Sequence, residues 1–227
     1  MILIRRPLPQ WNLLMEKIDM EDIAIYGAGG HCMVIIDILK SMNRLPKTII
    51  DDHPQTDLFM GVPVLKPSKE YTNLIIAIGN CSIRKQIAQR LSSSHFIVVI
   101  HQTAIISPTA KIGDGTVVMQ GAIIQSRANI GKHCIINTGA SVDHECQIAD
   151  FVHISPHATL CGNVRIEECS WICAGAVIVP GVHIGSNTII GAGSVVTKDI
   201  PDNVVAYGNP CRIIRHIDML QSNIKIV

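Results

Sequence analysis

The residues with the most chemistry to offer are a histidine set between two acids. In Asp143-His144-Glu145-Cys146 the imidazole of His144 titrates near neutrality, so it can take a proton and return it within one cycle. A carboxylate beside it fixes the tautomer and raises the basicity, the part an orienting acid plays in nucleophile–base–acid arrangements. His153 follows nearby. Taken singly, a histidine in such a stretch reads as a solvated surface residue, and His101, His133, His157 and His183 are read that way. A catalytic zinc needs three protein ligands and an open position. His153 and His157 are four apart, but in extended chain that spacing does not converge them, so no metal is expected.

A second group lies towards the N-terminus. Gly27-Ala28-Gly29-Gly30-His31 follows a short β-branched run, and Asp51-Asp52 closes the next one. Two readings stand: the glycines simply close a loop, or they let main-chain N–H groups and a helix N-terminus approach an anion. A dinucleotide fingerprint would need a third glycine at Cys32, so NAD is not expected.

The elements that position these residues follow from periodicity. From Ile106 to Val196 every sixth residue is aliphatic, the residue two before it is small or β-branched, and glycine recurs just after it, as at Gly113, Gly131, Gly185 and Gly191. A period of six fits neither a helix nor a simple alternating strand. It fits a triangular prism of short parallel strands, coils stacked about 4.8 Å apart, each burying its apolar side against its neighbours. Residues 104 to about 200 resemble the left-handed parallel β-helix of the hexapeptide-repeat acyltransferases. His144 then falls at a corner and His153 on a different side of the prism. A three-fold axis would bring a corner of one copy against a side of the next, which implies a homotrimer.

Before the repeats, strands at Ile23–Tyr26, Thr48–Ile50, Leu74–Ile78 and Phe96–Ile100 alternate with helices over His31–Met42 and Ser82–Leu91, Ser82 serving as N-cap. This predicts a small parallel, Rossmann-like α/β sheet that binds ligands outside the carboxyl ends of its strands. The expected layout is a disordered lead over 1–19, with Met20 the more natural start, then the α/β domain over 20–101. The β-helix over 102–200 and a C-terminal extension over 201–227 follow.

Composition narrows the function. A formal net charge of +1 argues against a nucleic-acid partner. No apolar run is long enough to span a bilayer, and the opening MILIRRPLPQWNLL, with two arginines and no cleavage site, is a poor signal peptide. The eight cysteines show no paired CxxC spacing, which implies a reduced, cytoplasmic protein.

From about Met20 to Arg215 the chain resembles the PglD/NeuD sugar acetyltransferases. The residues that carry this are GAGGH, the strand ending Asp51-Asp52, IAIGN with its following Ile83-Arg84-Lys85, NTGASVDHEC and FVHISPHATLCGNV. The resemblance implies that His144 is the general base and Glu145 the acid that raises its basicity. It implies acetyl-CoA contacts at His153, Gly162, Ala174 and Ala192, and substrate contacts at Gly29, Gly30, His31, Asp51, Asp52, Gly79 and Asn137. The tail Tyr207–Arg212 is similar to a segment that closes over coenzyme A, with Cys211 where alanine is usual. Members acetylate the 4-amine of a UDP sugar, the amine of a GDP sugar, or a hydroxyl of sialic acid. The matches at IAIGN and DHEC are nearest the UDP-amino-sugar branch.

Overall fold

A computed structural model of the chain describes residues 22–68 and 71–217. The lead over 1–19 and the last ten residues lie outside the described part. Five strands form the first sheet: β1 (Ile23–Tyr26), β2 (Thr48–Ile50), β3 (Leu58–Phe59), β4 (Val62–Leu65) and β5 (Asn73–Ile76), in the order β3-β4-β2-β1-β5. β1 pairs in parallel with β2 and β5, and β2 with β4, while β3 and β4 form an antiparallel hairpin. Sequence reasoning missed the hairpin, whose strands are short and carry Pro63 on an exposed position.

β1 is buried on both faces, as the middle strand of a covered parallel sheet must be. Ile23 and Ile25 face helix α1 (Gly30–Ser41) through Cys32, Ile35, Ile36 and Leu39. Ala24 and Tyr26 face helix α2 (Cys81–Arg90) through Ile87 and Ala88. The N-cap of α2 is Asn80, whose side-chain oxygen accepts the Ile83 N–H at 3.0 Å, rather than Ser82. Asn at that position satisfies one of the orphan donors of the first turn from outside the helix.

The rest of the chain is the left-handed parallel β-helix that the period of six implied. Two-residue strands stack in parallel with an offset of eighteen residues, as in Ile124 against Val142 and Val142 against Leu160. They make three faces. The first carries strands beginning at Ile105, Ile123, Ser141, Thr159, Val177 and Val195, and the second those at Lys111, Asn129, Gln147, Arg165 and His183. The third carries Val117, Ile135, His153, Trp171 and Ile189, with Val99–Ile100 added at one end and Val204–Tyr207 and Arg212–His216 at the other. The aliphatic beat and the small residue before it point inward and are buried, from Val118 and Ala122 to Val196.

The glycine after the beat has a steric cause. A Cβ on Gly113 would stand 2.7 Å from the carbonyl carbon of Gly131 in the next coil. Three residues past the beat, nearly every corner holds a residue at positive φ, among them Gly139 (64°), Glu145 (61°), Phe151 (62°) and His157 (56°). Such corners favour glycine and tolerate other residues at a small cost.

The α/β unit packs on the third face. α1 shares a core with Val117, Met119 and Ile135, and α2 shares one with Phe151. His133 is buried in this joint, edge-on to Phe96 and stacked on Phe151 at 5.0 Å, so it is not the solvated corner residue expected. Cys81 and Cys169 form a disulfide across the same joint, with Cα atoms 5.5 Å apart. That pairing joins two elements distant in sequence, so spacing gave no sign of it, and it departs from the all-reduced expectation. No described helix is long and apolar enough to cross a membrane.

Candidate active site

The His144 corner is built by the chain turning between the first and second faces after Ser141–Val142. Asp143 Oδ1 accepts the His144 N–H at 2.7 Å, and the turn places Glu145 Oε2 3.3 Å from His144 Nδ1. The other oxygen of Glu145 pairs with Arg127, one coil away. With Nδ1 donating to Glu145, Nε2 is left as the acceptor. The imidazole lies over Gly162 of the next coil, where a Cβ would stand 2.5 Å from Cε1 and Nε2. Gly162 therefore shapes the histidine's seat. The corner remains open, with the His144 side chain 57% exposed.

The third face carries a cavity of about 920 Å³ that runs from His153 past Trp171 and Ile189 to Tyr207 and Arg215. His153 stacks on Trp171 with ring centroids 5.4 Å apart, and Trp171 Nε1 donates to Ser155 Oγ at 2.6 Å. The Asn137 amide stands 3.1 Å from His153 Nε2. His153 Nδ1 is buried with no partner among the described residues. Burial first, then the charges of Arg84 and His31, lower its pKa to about 3, so His153 is neutral at working pH. Of the residues expected to meet acetyl-CoA, His153, Ala174 and Ala192 line this cavity and Gly162 does not. Sequence reasoning missed Trp171, Tyr207 and Arg215. Trp171 carried a signal, since it stands one coil above His153 at the same outward position.

The third part lies at the carboxyl ends of β1, β2 and β5. A Cβ on Gly29, Gly30 or Gly79 would meet nothing within 4 Å, so space is open above all three. Gly29 caps α1 without a side chain and the first turn holds no acid, leaving main-chain N–H groups to face that space. Asp51 is spent on the loop itself. Its Oδ2 accepts the Ala28 N–H and its Oδ1 the His53 N–H, both at 2.9 Å. Asp52 meets Arg90 at 3.2 Å. Burial alone would raise its carboxyl, but bonds from Tyr26 and Arg90 outweigh burial and hold it below its ordinary value. His31 Nε2 is buried without a partner among the described residues, and burial, helped by Arg84, lowers its pKa to about 4. Among the described residues no three of His, Cys, Asp and Glu gather as metal ligands.

A parallel β-helix with an open histidine–glutamate corner, and a long, mostly apolar cavity on another face, is the architecture of a hexapeptide-repeat acyltransferase. The comparisons agree. The model of the PglD N-terminal domain matches residues 22–91, and that of the bacterial transferase hexapeptide (six repeats) matches 163–198. UDP-N-acetylbacillosamine N-acetyltransferase of Bacillus subtilis (strain 168) is 46% identical over 115 residues, which is 44% of this chain and 52% of that protein. The match thus spans about half the length of that relative. The perosamine N-acetyltransferase of Caulobacter crescentus, solved with CoA and GDP-perosamine, superposes with a TM-score of 0.83 at 34% identity, covering 86% of this chain and 98% of that one. The acetyltransferase domain of PglB from Neisseria gonorrhoeae FA1090, solved with acetyl coenzyme A, gives 0.79 at 36% identity, covering 85% and 98%. The chain belongs to the sugar N-acetyltransferases of the hexapeptide-repeat family that carry a PglD-type N-terminal domain.

Proposed function

We propose that the protein transfers the acetyl group of acetyl-CoA to the 4-amine of a UDP-linked deoxy-amino sugar. The observation that carries the chemistry is the His144–Glu145 pair seated on Gly162. His144 Nε2 takes the proton from the amine as its nitrogen adds to the thioester carbonyl, and Glu145 stabilises the resulting imidazolium. The carbonyl bond to sulfur breaks, the departing sulfur takes the proton back from the His144 imidazolium so that coenzyme A leaves as the thiol, and a main-chain N–H stabilises the oxyanion on the way. Transfer is direct, with no acyl-enzyme, and no metal takes part. The 46% identity to the Bacillus subtilis UDP-sugar enzyme favours uridine over guanosine.

In this reading acetyl-CoA lies along the third face, with its acyl end near His153 and Asn137 and its pantetheine arm past Ala174 and Ala192. Residues 20–101 hold the nucleotide sugar at Gly29, Gly30, His31 and Gly79, with Asp51 and Asp52 shaping the loops. Residues 102–200 hold the acetyl donor, and the part of the C-terminal extension over 201–217 closes over it.

Three copies are needed for a complete site. The outward positions of the first face, Ile105, Ile123, Ser141, Thr159, Val177 and Val195, are apolar or small, while those of the second are Lys, Asn, Gln, Arg and His. Three first faces gathered about an axis would bury the former. They would also set the His144 corner of one copy against the edge of its neighbour that bears Asn137, Ala174 and Ala192. A cytoplasmic site of action fits the location of acetyl-CoA and nucleotide sugars.

The test is thiol release from acetyl-CoA by the purified chain with a UDP-4-amino sugar, a GDP-4-amino sugar and sialic acid offered separately. Release with the UDP amine alone is expected. Release only with the GDP amine, which the Caulobacter crescentus likeness favours, or only with sialic acid would move the acceptor. No release with any would overturn the reading in favour of a binding scaffold.

A further inference from the structure

Arg84 is 1% exposed, and no carboxylate pairs with it among the described residues. A buried guanidinium is costly unless its donors are bonded, and here four bonds to carbonyl oxygens do this. Nε donates to His133 O at 2.9 Å and Nη2 to Phe151 O at 2.6 Å, both at corners of the β-helix. Nη1 donates to Ile78 O at 2.7 Å and Gly79 O at 2.9 Å, in the loop that follows β5. One planar fork thus ties two adjacent coils to the loop that borders the open space at Gly29, Gly30 and Gly79. Its neighbours brace the same joint: Cys81 bonds Cys169, and Lys85 meets Glu168 at 2.7 Å.

We propose that Arg84 is a positioning residue for acetyl transfer: it sets the Ile78–Asn80 loop in register with the His153 face, so that nucleotide sugar and acetyl donor meet at one fixed offset. The inference rests on the function proposed above. Carbonyl acceptors alone suit a registering role, because a carboxylate partner would hold the charge but not the spacing of three separate backbone segments. The planar fork matters, since an ammonium cannot reach all four oxygens in one geometry.

The same charge leaves an electrostatic mark. After burial, the charge of Arg84 is the next cause that lowers His31 and His153, with His31 adding to the effect on His153. For His133, burial and then the charges of Arg84 and Lys132 lower the pKa, against the opposing effect of Asp150 and Asp114. Arg84 keeps its own proton at neutral pH, although burial brings it down to about 10 against the opposing pull of Cys134.

The experiment compares Arg84→Lys and Arg84→Met in the full chain, with kcat corrected for folded protein and the histidine rings titrated by NMR. Arg84→Lys should lower kcat by about 10- to 100-fold through misalignment while the KM for acetyl-CoA stays within about twofold. Its retained cation should leave His31 and His153 titrating as in wild type. Arg84→Met should lower kcat as well and move both titrations up towards the ordinary histidine value. A lysine variant that keeps wild-type kcat per folded molecule, even with a lower Tm, overturns the proposal, since only stability was then lost. A methionine variant that keeps wild-type kcat per folded molecule overturns it too; if that variant does not fold, kcat of the lysine variant decides. Should wild type acetylate no nucleotide amino sugar, the proposed function fails while the titrations still report on Arg84.

Discussion

His144 and His153 differ in what surrounds them, and that difference supports the separate roles proposed for them. His144 is exposed at a corner with Glu145 at 3.3 Å, suited to proton transfer, while His153 is half-buried, stacked on Trp171 and held neutral. Replacing His144 with Ala should reduce kcat by about 10² to 10⁴ with acetyl-CoA affinity, read by calorimetry, almost unchanged. Gly162→Ala should act through His144: its Cβ would occupy the ring's seat, so kcat falls while KM for acetyl-CoA holds. An unaltered kcat would mean that the ring has room to move. His133, 6% exposed with its pKa lowered to about 4, adds a pH dependence to stability. Between about pH 6.5 and 4 the unfolded chain binds a proton there that the folded chain refuses. Stability is therefore complete above the unfolded value and lost as pH falls through that window, by up to about 1.4 kcal/mol per pH unit. Melting curves across that range should show the decline, and His133→Asn should make it shallower, with His31 and His153 supplying the remainder.

At the scale of elements, the β-helix was legible because its residues answer only to the coil above and the coil below. The beat, the small residue before it and the glycine after it are all set by stacking. Ile154→Ala, in the interior of a single rung, should cost about 2–5 kcal/mol in chemical denaturation. The joint with the α/β unit was not legible, since contacts between distant segments leave no period behind. Arg84 sits in a helix whose neighbouring Ser82 and Lys85 read as a wet face, and His133 occupies a corner that looks like any other until Phe96 and Phe151 close on it. Likewise GAGGH and Asp51 were found as candidates, but only the fold shows Asp51 turned back on Ala28. The Cys81–Cys169 tie implies that Cys169→Ser lowers the melting temperature in oxidising buffer and leaves it unchanged in reductant.

At the scale of the whole molecule, the proposed site is divided between copies, with the corner of one facing the cavity edge of the next. Two inactive chains should then rescue each other. Mixing His144→Ala with Ala174→Trp, which fills the cavity, and allowing subunits to exchange should restore a fraction of wild-type turnover, because some mixed trimers unite an intact corner with an intact cavity. No recovery in trimers proven mixed by mass spectrometry would place both halves in one chain.

The strand Arg212–His216 runs antiparallel to Val204–Tyr207 at one end of the third face, where all its neighbours run parallel. A stack of coils grows by adding like to like, and its bare end is an invitation to the next molecule. By reversing direction at Arg212–His216 the chain covers the Val204–Tyr207 edge of that face with a strand of its own, and Val99–Ile100 covers the opposite edge. A chain cut before Val204 would lose that cover. What it would then present is the bare edge of Ile189–Ile190, open to pairing with another copy.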